Sequence, residues 1–259
     1  MAARAKQQQP VPKPDAAVAA KQPAAPAPAA SAADSYLILY NSLSLLLWAY
    51  ILYTTSQLLL VEHWPDLTAG NAATWELLHG FALTTESLAA LEVLHAALGL
   101  VRASPLTTAL QVAGRNTVLW AVARNYPDVM ARGVGCGYAA LLLAWSAAEV
   151  VRYSYFVVAL LGKVQGGEAA GHAVPPWLVW IRYTMFIPLY PAGILSECWL
   201  IYHVIAPSRH RQAYYQYLLW FGLLIYIPAS YILGTHMFAQ RRKMLRGTSK
   251  AKATTVKRS

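Results

Sequence analysis

Tyr190 and Glu197 carry the types and spacing that suit proton transfer at carbon and oxygen. They lie seven residues apart in the apolar stretch Trp177 to Ile205, which in an α-helix is about 700° of rotation, so both face the same way some two turns apart. Pro188, Pro191 and Gly193 cluster around them, and proline removes backbone hydrogen bonds and bends a helix. A bend there is expected to bring the phenol and the carboxyl to one substrate, because broken helices at membrane depth line cavities. A carboxylic acid in apolar surroundings can protonate a departing hydroxyl. A phenol near arginine can take a proton from carbon, or polarise a carbonyl as a hydrogen-bond donor. Taken alone, the same spacing also suits a purely structural pair.

Other ionisable side chains in apolar stretches are Glu86, Glu92, His95, Arg115, Glu149, Arg152 and Arg182, and such groups are costly enough in a bilayer to default to functional hypotheses. With Glu86 left aside, the acids Glu92, Glu149 and Glu197 match the three arginines in number. Mutual pairing is therefore one expectation, and Glu149 and Arg152 at i, i+3 share a helix face. The other is a polar cavity open to the cytosol, with the arginines meeting an anionic head group and the apolar remainder taking a chain, a description that an acyl-CoA fits. The two Glu-x-x-His pairs, Glu76 with His79 and Glu92 with His95, lie on or beside one span, sixteen residues apart. That is about 24 Å of helix, so they cannot converge on one metal pair, and no metal or other cofactor is expected.

The elements that must position these residues are membrane helices. Of 259 residues, 57% are hydrophobic and 12% charged, half the charge of a typical soluble domain, so soluble catalytic folds lose ground and lipid is the expected solvent. The predicted fold class is all-α, a polytopic bundle of six transmembrane helices over Tyr36 to Leu60, Leu77 to Val101, Leu106 to Asn125, Gly133 to Leu161, Trp177 to Ile205 and Tyr214 to Phe238, each long enough to cross about 30 Å of hydrocarbon. Residues 1–34, rich in Ala and Pro, read as a disordered cytosolic tail and not as a signal peptide. Residues 35–240 read as the catalytic membrane domain and 241–259 as a basic cytosolic tail. Fourteen of the 21 Lys and Arg fall on the side of both termini, four on the other and three inside spans, which places both termini in the cytosol. The basic C-terminal run reads as an anchor on anionic membrane lipid. Nucleic acid is not an expected partner, since no aromatic platform accompanies it.

With these residues in view, the chain resembles a known family. Tyr190-Pro191-Ala192-Gly193-Ile194-Leu195-Ser196-Glu197 resembles the Tyr-Pro-x-Gly-x-x-x-Glu signature of the endoplasmic reticulum 3-hydroxyacyl-CoA dehydratases, also called protein tyrosine phosphatase-like proteins. Leu91 to Ser104, Gln111 to Arg115, and Trp145-Ser-Ala-Ala-Glu149-Val-Val-Arg152-Tyr153-Ser-Tyr155 agree in order and spacing. The resemblance covers about 36 to 240 and not the tails.

It implies a six-span hydro-lyase of the endoplasmic reticulum membrane that converts 3-hydroxyacyl-CoA to trans-2-enoyl-CoA, the third step of very-long-chain fatty acid elongation. Tyr190 and Glu197 map onto its catalytic pair. Arg115, Glu149, Arg152, Tyr153, Arg182 and Gly193 are the substrate-binding or supporting candidates. Which of the pair is acid and which base stays open, with Glu197 as acid and Tyr190 as base preferred. Implied partners are a ketoacyl synthase, a ketoacyl reductase and an enoyl reductase. The chain ends in neither Lys-Lys-x-x nor Lys-x-Lys-x-x, so residence in the endoplasmic reticulum follows from the family and not from a sorting motif. Phosphatase chemistry is excluded, because it needs an arginine six positions after cysteine, where Cys136 and Cys198 have Leu142 and Val204. The alternative is a non-catalytic membrane scaffold or lipid transporter of the same fold. Against a transporter, the broken helix has no counterpart in the first three spans.

Overall fold

A computed structural model describes residues 31–166, 174–211 and 214–256. The tail expected to be disordered lies outside them up to residue 30, as do the final three residues. Every regular element among the described residues is helical.

Ser31 caps α1 (Ala32–Gln57) by accepting from the Asp34 amide, and wider turns carry this helix on to Glu62. Asp66 then accepts from the amides of Thr68 and Ala69 and starts α2 (Leu67–Ser87). The expected boundary at Leu77 is corrected by ten residues, because a carboxylate that satisfies two orphan amides nucleates a helix whatever the polarity of the next turns. A short irregularity at Leu88 and Ala89 separates α2 from α3 (Ala90–Ala97). Ser104 and Pro105 open α4 (Pro105–Thr117), which continues in wider and then tighter turns to Asn125. The long α5 (Gly137–Gly166) follows a turn at Val129–Gly133.

The helix expected to bend at its prolines instead breaks ahead of them. α6 (Pro176–Arg182) ends at Tyr183, and α7 (Phe186–Ser208) starts afresh with Pro188 in its first turn. Pro188 has no N–H for the Thr184 carbonyl, so the chain yields at Tyr183 to Met185, and Thr184 takes the Ile187 amide at 3.0 Å. Within α7, Pro191 leaves the Ile187 carbonyl unserved by the same rule. The last helix, α8 (Tyr215–Val256), runs through the expected end of the membrane domain at residue 240 without a break and carries Pro228 inside it.

Among the described residues, five segments are long and apolar enough to cross a membrane: Ala32–Glu62, Leu67–Ala97, Gly137–Gln165, Pro176–Ser208 and Tyr215–Met244. α1 lies along α5, α5 against α7, and α7 against α8. The common core includes Trp48 and Ile51 of α1, Leu78 of α2, Tyr138 and Leu142 of α5, and Leu200 and Val204 of α7. Leu218, Phe221, Leu224, Ile227 and Tyr231 of α8 stay exposed, as the lipid-facing side of a membrane helix must.

One polar residue pins the ends of three elements. Buried Asn71 on α2 donates to the carbonyls of Met130 and Ala131 at 2.8 and 3.1 Å and accepts from the Ala139 amide at 2.9 Å. Asn71→Leu keeps the volume and leaves these groups unpaired, at a cost of about 1–3 kcal/mol for an unsatisfied buried group. Thermal unfolding of the detergent-solubilised variant should show a clear fall in Tm. An unchanged Tm would mean that the Asn71 bonds do not hold this end of the bundle together.

Candidate active site

Two guanidinium groups bind three carboxylates at the centre of the bundle. Arg115 of α4 reaches Glu86 of α2 at 2.7 Å and also binds Glu149 of α5. Arg152, one turn after Glu149, donates Nε to it at 2.6 Å and holds Glu92 of α3 with both terminal nitrogens at 2.9 and 2.8 Å. Tyr153 donates to the same Glu92 at 2.6 Å. Glu86 and Glu149 are buried. Setting Glu86 aside was therefore an error of the sequence reading, since this is the acid that, with Glu149, neutralises Arg115.

Arg115 and Arg152 are thus engaged by acids, and the expectation of three arginines facing a substrate anion narrows to Arg182. Arg182 has no carboxylate partner among the described residues. It lies over the rings of Tyr155, Phe156 and Tyr183 at 4.6, 4.7 and 5.7 Å, with its Nε buried and lacking a hydrogen-bond partner. The neighbouring Thr184 Oγ1 is buried and unpartnered as well, so two polar atoms without partners flank the break between α6 and α7. His95 pairs instead with Tyr36, ring nitrogen to phenol at 2.9 Å.

Tyr190 and Glu197 stand apart from the ion network, and both turn toward α8. The Tyr190 hydroxyl donates to the Ser230 carbonyl at 3.3 Å. Glu197 accepts from the Trp145 indole at 2.9 Å through Oε1 and from the Tyr226 hydroxyl at 2.5 Å through Oε2. Tyr226 and Ser230 are four residues apart on one face of α8, so the facing turns of two helices hold the pair. Gly193 lies between Tyr190 and Glu197, and a Cβ there would be 3.7 Å from the Trp145 ring. Alanine would fit, and anything longer would push the indole off Glu197. Trp145 also touches the ion network, because the Arg115 guanidinium lies 4.4 Å over its ring.

Sequence reasoning missed Tyr226. Its only signal was its four-residue spacing to Ser230 on an otherwise apolar helix. Among the described residues no group of three or more His, Cys, Asp or Glu is placed to hold a metal ion.

Residues 86–247 match the family model described as protein tyrosine phosphatase-like protein, PTPLA. The chain belongs to this family. The PTPLA match contains Tyr190, Glu197, both network arginines and Tyr226. The chain is 35% identical to the probable very-long-chain (3R)-3-hydroxyacyl-CoA dehydratase of Schizosaccharomyces pombe, over 81% of this chain and 92% of that protein. It is 32% identical to the very-long-chain (3R)-3-hydroxyacyl-CoA dehydratase PASTICCINO 2A of Oryza sativa subsp. japonica, over 84% and 95%. It is 33% identical to the very-long-chain (3R)-3-hydroxyacyl-CoA dehydratase 2 of Homo sapiens, over 63% and 65%. No solved structure matches the chain.

The geometry of this PTPLA protein separates two kinds of arginine. Arg115→Ala leaves Glu86 and Glu149 short of a buried cation, a loss of about 3–5 kcal/mol, so folded protein should fall sharply in fluorescence-detected size exclusion. Arg182→Ala strands no acid and should elute and melt as the wild type does. Equal loss in both variants would mean that Arg182 also serves the fold.

Proposed function

We propose that this protein is a membrane-embedded hydro-lyase that dehydrates 3-hydroxyacyl-CoA to trans-2-enoyl-CoA, the third step of very-long-chain fatty acid elongation, with Tyr190 and Glu197 as its catalytic pair. The observation that carries this reading is the state of Glu197. Glu86, Glu92 and Glu149 are bound by arginine, whereas Glu197 has no cationic partner among the described residues and is held by two neutral donors. An acid locked in an ion pair cannot serve in proton transfer; one in a neutral cradle can.

The elimination assigns a part to each group. In the reactive state Glu197 carries a proton and Tyr190 is a phenolate, its own proton having passed to Glu197; the phenolate oxygen takes the proton from the carbon next to the thioester, and that C–H electron pair becomes the new double bond. The C3–O bond breaks, the hydroxyl takes the Glu197 proton, and water leaves. Tyr190 then holds a proton and Glu197 lacks one, and transfer between them restores the start. Gly193 keeps the space in which Trp145 meets Glu197. The network of Glu86, Glu92, Arg115, Glu149, Arg152 and Tyr153 supports the site from behind, and Arg182 takes the anionic or carbonyl oxygens of the CoA arm.

The membrane frame of this reading has six spans, the third being Pro105–Asn125. Its helical turns are unbroken, at about 1.5 Å per residue it reaches across the hydrocarbon layer, and Glu86 with Glu149 neutralises the arginine that lowers its hydropathy. The charge distribution then puts both termini in the cytosol. In this reading, which follows the family, the protein works in the endoplasmic reticulum membrane beside a ketoacyl synthase, a ketoacyl reductase and an enoyl reductase.

Purified protein should convert 3-hydroxyacyl-CoA thioesters to the enoyl products. Tyr190→Phe and Glu197→Gln should each lower kcat by about two to four orders of magnitude, the usual worth of a general acid or base. The double variant should lose little more than the worse single one, since groups acting in one transition state are non-additive. Normal turnover in either single variant at normal protein level would remove that residue from the mechanism. In the same assay Arg182→Ala should raise KM more than it lowers kcat, and an unchanged KM would take Arg182 out of substrate binding. Tags on both termini should be open to protease in sealed microsomes, and protection of either would overturn the six-span frame.

A further inference from the structure

We infer that Tyr226 is a positioning residue of this site, which fixes the mobile proton of Glu197 on Oε2. The inference rests on the reading of Glu197 as the proton donor and adds to it the direction in which that proton lies. The Trp145 indole N–H contacts Oε1 at 2.9 Å, and an indole nitrogen can only donate. Oε1 is therefore an acceptor in both protonation states of Glu197. A proton on the carboxyl sits on Oε2, where the only protein hydrogen-bond partner recorded among the described residues is the Tyr226 hydroxyl at 2.5 Å. A phenol can donate or accept, so Tyr226 accepts while Oε2 carries the proton and donates once the proton has left.

That reversal serves the elimination. When the Glu197 O–H bond breaks and the departing hydroxyl becomes water, a carboxylate is left with no ion-pair partner among the described residues. Tyr226 O–H and Trp145 N–H then each serve one oxygen, and charge-assisted bonds of this kind are stronger than their neutral counterparts. The two donors come from different helices, α5 and α8, and meet on a side chain of a third, α7. The carboxyl plane is held at both edges, and its proton is turned toward Tyr226.

The test separates this role from a structural one. Tyr226→Phe keeps the ring and removes the hydroxyl, and it should lower kcat by about ten- to hundredfold, the worth of a hydrogen bond to a charged group, with KM within twofold. Infrared difference spectra of the detergent-solubilised protein supply a readout without substrate: the bands that vanish in Glu197→Gln belong to Glu197, and those bands should shift in Tyr226→Phe. A fluorinated tyrosine at position 226 keeps the packing but is a weaker acceptor for the Oε2 proton, so it should shift the bands of the protonated carboxyl in the same direction as Tyr226→Phe and by less. This last comparison decides the matter if Tyr226→Phe does not fold. Glu197 bands indifferent to both changes would overturn the inference, as would normal kcat in folded Tyr226→Phe. Normal kcat in Glu197→Gln would instead overturn the reading of Glu197 as proton donor.

Discussion

Charge buried in a bilayer must be neutralised where it sits, and the chain Glu86–Arg115–Glu149–Arg152–Glu92 is how this bundle does it. Each guanidinium serves two acids, and the acids come from α2, α3 and α5, so no helix of the set can shift alone without leaving a charge unpaired. With all three carboxylates ionised, two guanidiniums would leave the network one negative charge in excess. Tyr153 softens that excess by donating to Glu92, and the rings of Trp48 and Trp145 face Arg115. The arginine in α4 thus becomes a cross-brace for a segment that hydropathy alone would not place in a membrane.

The same arrangement divides structural charge from chemical charge. The acids of the network are spent on arginine, whereas Glu197, the proposed proton donor, lies on α7 facing α8 and two neutral donors. Trp145 is shared between the two halves, with Arg115 over its ring and Glu197 at its N–H. A change at Arg115 therefore acts on Glu197 through one rigid aromatic plate, which gives that arginine an influence on chemistry without contact with substrate.

Several of these features were legible in the sequence. The seven-residue spacing of Tyr190 and Glu197 put both on one face, and the structure shows both reaching α8. The i, i+3 spacing of Glu149 and Arg152 gave their ion pair directly. What stayed hidden depended on contacts between distant segments. Glu86 lies beside threonines near the end of α2, where sequence offers no sign that Arg115, twenty-nine residues on, comes to meet it. A tyrosine in a membrane span reads as an interfacial anchor, so the spacing of Tyr226 to Ser230 was too weak a mark to single it out. The helix break was assigned to the prolines themselves, yet a proline's missing N–H is felt by the carbonyl four residues earlier. Pro188 therefore moves the break to Thr184.

The displaced break changes what the region can do. Had the chain bent between Tyr190 and Glu197, their separation would vary with the bend. With the break ahead of Phe186, both sit on the continuous helix α7, and their spacing is set by helix geometry. The irregular backbone at Tyr183 to Met185 instead has beside it two of the six buried side-chain polar atoms that lack partners among the described residues, Arg182 Nε and Thr184 Oγ1. In hydrocarbon such groups are costly unless something binds them. A polar substrate arm is the kind of molecule that would, and it would do so within the same span as the pair that acts on its acyl end. On the proposed reading, proton transfer lies on α7 and recognition at the break ahead of it, and Pro188 sets that break before the pair instead of between its members.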